Sequence, residues 1–188
     1  MYLIIEKMKK VLLLVFIGAL FVACKPEKQF ADELKTIDTY KSELDSVKKA
    51  FSAIKMDSVF YIRKTASEAE RFIKTNYITD TINIDFANKI SYMKRIRKSL
   101  ANFEMNTKHI LLEAEAIDTQ YVHLKTDILN GVLNKKQVDT YLLEEKVALD
   151  NLKKLFNQVN ENQSTQMANF YFAYPTVEEY ITLIKNTN

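Results

Sequence analysis

The only cysteine, Cys24, directly follows an unbroken apolar run over residues 11–23. A thiol there can act as a nucleophile, half of a disulfide or an acyl acceptor. With no second cysteine, an intramolecular disulfide has no partner. The two histidines, His109 and His123, share an outward helix face but sit about 21 Å apart along it at 1.5 Å per residue, too far to hold one metal ion. Glu113 and Asp127 follow them at i+4, a spacing that stabilises a solvated helix face and makes only a weak metal site. No metal is expected. Lys94, Arg95, Arg97 and Lys98 form the densest basic cluster, beside Tyr92. Such a cluster suits anionic lipid, glycan or an acidic protein face, and at non-core positions it also keeps a helix solvated. Phe170, Tyr171, Phe172 and Tyr174 form an aromatic group of the kind found in cores and in binding hot spots. They are expected to cap the open end of the fold or, where exposed, to form an interaction patch.

Catalytic chemistry is thinly supplied. Gly18 lies in the apolar run, so Gly131 is the only other glycine and no glycine-rich phosphate loop, nucleophile elbow or dinucleotide fingerprint can be built. The pairs Glu113 with Glu115 and Glu144 with Glu145 point to different sides of a helix. No Glu-x-x-His occurs, so the di-iron pattern of four-helix proteins is missing. The expectation is a non-enzymatic protein with no catalytic residue and no cofactor.

Lys7, Lys9 and Lys10 precede the thirteen-residue apolar run. That is the length of a signal-peptide core and well short of the roughly 20 residues needed to cross a bilayer. The segment from Met8 onward is a complete signal by itself. Phe21-Val22-Ala23-Cys24 resembles the lipobox of bacterial lipoproteins, with Phe21 where leucine is usual. The resemblance implies cleavage between Ala23 and Cys24, followed by lipid on the Cys24 thiol and on its freed amino group. More than one acyl chain holds a protein to a membrane stably where a single chain binds only marginally. The expected organisation is a signal peptide over 1–23, a lipidated polar tether over 24–29 and a helical domain over 30–188. Residues 1–23 hold three lysines and one glutamate, so the overall charge of +3 falls to +1 in the remainder. That near-neutral balance gives no reason to expect nucleic acid as a partner.

The elements that must position these groups are long helices, since two glycines and two prolines in 188 residues leave few turns. Alternate steps of three and four from Phe86 give a stripe through Met93, Ile96, Leu100, Phe103, Ile110, Ala114, Ile117, Tyr121, Leu124 and Ile128, interrupted only by Lys89 and Thr107. A 3.5-residue apolar repeat marks a helix that winds around partners, here predicted as one rod of about 65 Å. A second stripe runs through Phe30, Ile37, Tyr40, Leu44, Val47, Phe51, Ile54 and Tyr61, loosening near Asp57, where the helix either restarts or continues. Residues 77–84 read as a loop, with Asn83 or Asp85 capping the next helix. Asn130-Gly131 and the capping box of Asn134 and Gln137 mark a tight helical hairpin. A third helix begins at Val138 and is expected to stop at Pro175, with Thr176 and Glu179 opening a short terminal helix. The predicted fold is all-α, an elongated antiparallel three-helix bundle running up-down-up, with the aromatic group beside Tyr77, Ile78 and Ile82.

The stretches FIKTNY, DFANKISYMKRIRKSL and HLKTDILNGVLNKKQVDTYLLEEKVALDNLKKL resemble small helical envelope lipoproteins of the Bacteroidetes, a group without an assigned activity. Lys25-Pro26-Glu27-Lys28 lacks the acidic cluster that often follows the cysteine in surface-exported members, which favours the periplasmic face of the outer membrane. The implied role is a structural or protein-interaction module with an unidentified protein partner, and self-association is possible. The alternative is a carrier or chaperone-like binder of apolar or unfolded cargo.

Overall fold

A computed structural model describes residues 26–79, 81 and 83–187; the signal segment, Ala23, Cys24 and Ile82 lie outside them. The described chain is all-helical, with helices α1 (Pro26–Gln29), α2 (Ala31–Ser52), α3 (Met56–Asn76), α4 (Ile84–Ser99), α5 (Phe103–Leu129) and α6 (Lys135–Thr187). No strand occurs among the described residues. The apolar stripe explains the packing. Every apolar position on it from Phe86 to Ile128 is buried, and Thr107 is buried with its hydroxyl donating to the Glu104 carbonyl at 2.9 Å.

The single rod expected over this stripe is, however, two helices. At residues 100–102 the chain tightens, the Phe103 amide bonding to the Leu100 carbonyl three residues back rather than to Ser99 four back. The Ser99 carbonyl is satisfied from outside by Asn162 Nδ2 at 3.0 Å. Because Ile96, Leu100 and Phe103 all remain buried, the turn changes the backbone bonding without moving the stripe off the core. A similar interruption separates α2 from α3, and there the register does shift: Val59 and Ile62 are buried while Tyr61 faces solvent.

The expected stop at Pro175 is absent. Helix α6 continues through it, and no short terminal helix forms. A proline inside a helix removes a hydrogen bond and costs roughly 3 kcal/mol. Here it lies on the exposed face, while Phe170, Ala173 and Val177 flank it on the buried one. Burying a Phe or Val side chain yields roughly 1.5–3 kcal/mol each, enough to offset the lost bond. Thr176 and Glu179 are thus mid-helix residues rather than a cap.

The helices gather into two compact units. The first joins residues 26–42 to Asp118–Val147. Within it, Lys41 pairs with Asp118 at 3.2 Å, Tyr40 meets Tyr121 and Lys125 donates to Asp38 at 2.7 Å, so α2 and α5 run antiparallel. Glu33 pairs with Lys135 at the start of α6. The hairpin forms as its residues imply: Gly131 takes φ 68°, and the Val132 and Gly131 amides bond to the Asp127 and Ile128 carbonyls. The Asn134 and Gln137 side chains then accept from each other's amides at 3.0 Å, the reciprocal bonds of a capping box.

The second unit joins Glu43–Ile117 to residues 148–187. Tyr77 against Phe86 and Glu70 against Arg97 make α3 and α4 antiparallel, and Phe60 against Phe103 carries the same direction on to the start of α5. Phe86 against Tyr180, Tyr92 against Phe172 and Ser99 against Asn162 do the same for α4 and α6. Asn83 caps α4, accepting from the Phe86 amide at 3.0 Å and donating to the Tyr180 hydroxyl at 2.9 Å.

Candidate functional site

The aromatic group on α6 does not act as one patch. Phe170 is 3% exposed and packs edge-on against Tyr61. Tyr174 stacks on Phe170 at 4.7 Å, half-buried, and its hydroxyl donates to Glu178 at 3.2 Å. Burial, with the Glu178 carboxylate second, pushes the Tyr174 phenol above its ordinary pKa. Tyr171 and Phe172, on the opposite side of the same turns, are 64% and 60% exposed. Successive helical residues stand about 100° apart, so four neighbours cannot share one face.

The exposed half is built up by α4. Lys89 Nζ lies 3.2 Å above the Phe172 ring centroid and 3.4 Å from the Phe172 carbonyl oxygen. Tyr92 meets the same ring edge-on at 5.5 Å, and Arg95 lies over the Tyr92 ring at 4.4 Å. Cation, ring, ring and cation thus form one layered stack, each cation facing the negative face of a π-system. Lys89 interrupts the apolar stripe because its ammonium has a ring to sit on at that position. Beside Lys89 opens a cleft of about 320 Å³ lined also by Asp85, Asn88, Ser91, Tyr92, Arg95 and Phe172, so one carboxylate faces two cations there. Its chemistry suits an apolar or aromatic side chain laid against Phe172 and Tyr92, with a carboxylate held by Arg95 or Lys89.

The aromatic group comes beside the Tyr77 segment as expected, Tyr174 lining one cleft with Thr75 and Asn76, but none of its rings is in ring contact with Tyr77 among the described residues. The α6 ring that reaches Tyr77 is Tyr180, at 5.9 Å, while Phe170 and Phe172 find Tyr61 and Tyr92. The continuity of α6 explains the offset: ten further helical residues carry the chain about 15 Å beyond Phe170 before it comes level with Tyr77. Ile78 is exposed.

The basic cluster on α4 is divided as well. Lys94 and Lys98 are exposed, Arg95 joins the stack, and Arg97 turns to α3, where its Nε donates to Glu70 Oε2 at 2.7 Å. Glu70 is 3% exposed, and Lys74 Nζ lies 2.7 Å from its other oxygen. The hydrogen bond from Arg97 holds the Glu70 carboxyl below the usual carboxylate range. On α5, His109 pairs with Glu113 at 3.2 Å, both exposed. No group of three or more metal-ligating side chains converges among the described residues. Cys24 and Ala23 lie outside the described residues.

Sequence reasoning placed Phe172 and Tyr92 in separate clusters and read Lys89 as a flaw in the stripe. A cation at a core-stripe position and an aromatic three residues on were the signal available for the stack. Comparison of the chain with protein-family models, with curated proteins and with solved structures finds no match.

Proposed function

We propose that this chain is a lipid-anchored protein of the bacterial envelope, held through Cys24 to the outer membrane on its periplasmic side, whose helices serve as a non-enzymatic module for binding another protein. The lipobox-like Phe21-Val22-Ala23-Cys24 supports the anchor. The observation that carries the binding role is the pair of exposed rings, Tyr171 and Phe172, with Phe172 fixed by Lys89 and Tyr92. Rigid aromatics beside arginine are the residue types that dominate binding energy at interfaces. The partner is a protein that presents an apolar anchor flanked by acidic side chains.

The finer fold belongs to the same proposal. Within each unit the stretches follow one another as an up-down-up three-helix bundle, supported by the antiparallel pairs of α2 with α5 and of α4 with both α3 and α6.

A photo-crosslinking amino acid at position 172, compared in intact cells with one at exposed position 136, tests the role. A discrete adduct at 172 that fades in Tyr92→Ala is the expected result. A ladder of many adducts confined to 172 favours the cargo-binding alternative, and equal labelling at both positions contradicts both.

A further inference from the structure

Between α3 and α4, away from the ring stack, lies an open groove of about 620 Å³ lined by Phe60, Arg63, Lys64, Ser67, Arg71 and Arg97. A shallower extension shares Ser67, Arg71 and Arg97 and adds Lys74 and Thr75. From these structural features, we infer that the groove is a binding site for a phosphate-bearing ligand.

Spacing brings the donors together. Arg63, Ser67, Arg71 and Thr75 follow at i, i+4, i+8 and i+12, so they share one stripe of α3, with Lys64 and Lys74 beside it. Arg97 reaches the same groove from α4. Its Nε is tied to Glu70, which is itself buried and held by Lys74. That bond uses one edge of the guanidinium and fixes its plane, leaving the terminal nitrogens to the groove. Arg97 is therefore pre-organised as a donor, with little rotamer freedom to lose on binding.

The charge balance identifies the ligand. Five cations line the groove and its extension, against the two carboxylates Glu68 and Glu70. Glu70 is already committed to Arg97 and Lys74. Arg63, Lys64 and Arg71 pair with no carboxylate among the described residues. Arg63 and Lys64 are neighbours and Arg71 lies two turns on, about 12 Å along α3, a run of unpaired positive charge that a multiply charged anion would neutralise. Phosphate matches it: a tetrahedral group with two negative charges accepts from several converging donors, and arginine engages it two bonds at a time. Ser67 adds a neutral hydroxyl donor, while the Thr75 hydroxyl is already donated to the Arg71 carbonyl at 3.1 Å. At the other end Phe60 and Ala101 present apolar surface, a place for the organic part of a phosphate ester. The volume falls within the few hundred to about a thousand Å³ of ordinary small-ligand clefts.

Phosphate of this kind comes from two sources, a free phosphorylated metabolite or a lipid headgroup. Calorimetric titration of the full-length chain in detergent micelles at low salt, with pyrophosphate, dihexanoyl phosphatidic acid and dihexanoyl phosphatidylcholine as probes, tests the site and separates the sources. The expected result is saturable binding of a phosphate probe, no binding of phosphatidylcholine, and a loss of about tenfold or more in Arg71→Gln, the worth of one charge-assisted pair. Preference for pyrophosphate identifies a soluble ligand; preference for phosphatidic acid identifies a headgroup. Arg71 is exposed and makes no ion pair among the described residues, so its replacement leaves the fold intact, which circular dichroism verifies. Lys136→Gln, at an exposed residue that lines neither the groove nor its extension, leaves binding within about twofold. Absence of saturable binding to both phosphate probes, or binding unchanged in Arg71→Gln and Arg63→Gln, overturns the assignment.

Discussion

Glu70 shows how one buried carboxylate can organise a helix pair. It sits inside the α3–α4 contact, with Arg97 donating to Oε2 and the Lys74 ammonium 2.7 Å from Oε1. A carboxyl whose pKa is lower folded than unfolded binds fewer protons in the native state, so its stabilisation is complete above the unfolded value of about 4.3 and is lost as pH falls through the folded one. Glu33, lowered chiefly by its hydrogen bond from Lys135, adds to the same acid-side loss. Glu70→Gln should therefore cost about 1–2 kcal/mol at neutral pH and flatten the fall in stability below about pH 4.3. Melting temperatures measured across that range check it; an unchanged acid limb would show that Glu70 contributes nothing to the linkage. Glu145 behaves oppositely. Burial, then the neighbouring Glu144, raises its pKa, and its Oε2 is buried with no hydrogen-bond partner among the described residues. Its ionised form opposes folding.

Helix α6 carries the element-scale lesson. Steps of three and four from Leu149 run through Leu152, Phe156, Val159, Gln163, Gln166, Phe170, Ala173 and Val177, and every one of these is buried. Read by apolarity alone the stripe fades at Gln163 and Gln166, and Pro175 then reads as a stop; read by position it never breaks. The glutamines stay buried because Gln163 donates to Asn160 and Ser164, while Gln166 donates to Asn162 and accepts from Asn169. The hairpin at Gly131, by contrast, was legible residue by residue, because a left-handed glycine and a capping box are local chemistry. The turn at 100–102 left no such mark, since its compensating bond comes from Asn162, 63 residues away. The ring stack was hidden for the same reason: Lys89 and Phe172 lie 83 residues apart and meet only once the register of α4 on α6 is set. Pro175→Ala provides the test. In a continuous helix it restores a backbone bond and should raise the melting temperature, by up to about 3 kcal/mol of stability. A lower melting temperature would mean that Pro175 ends a helix after all.

At the scale of the whole molecule, each unit gathers stretches far apart in sequence, so neither can form before the chain has turned back at Gly131. No described helix is long and apolar enough to cross a membrane. Attachment in our reading rests on Cys24 alone, and with it the place where the ring stack and the cationic groove would meet their ligands. The intact mass of the protein purified from the membranes of its host tests this most directly. The expected mass is that of residues 24–188 plus covalent lipid, reverting to a lipid-free form in Cys24→Ser. A mature chain bearing no lipid, or one that keeps residues 1–23, would contradict it.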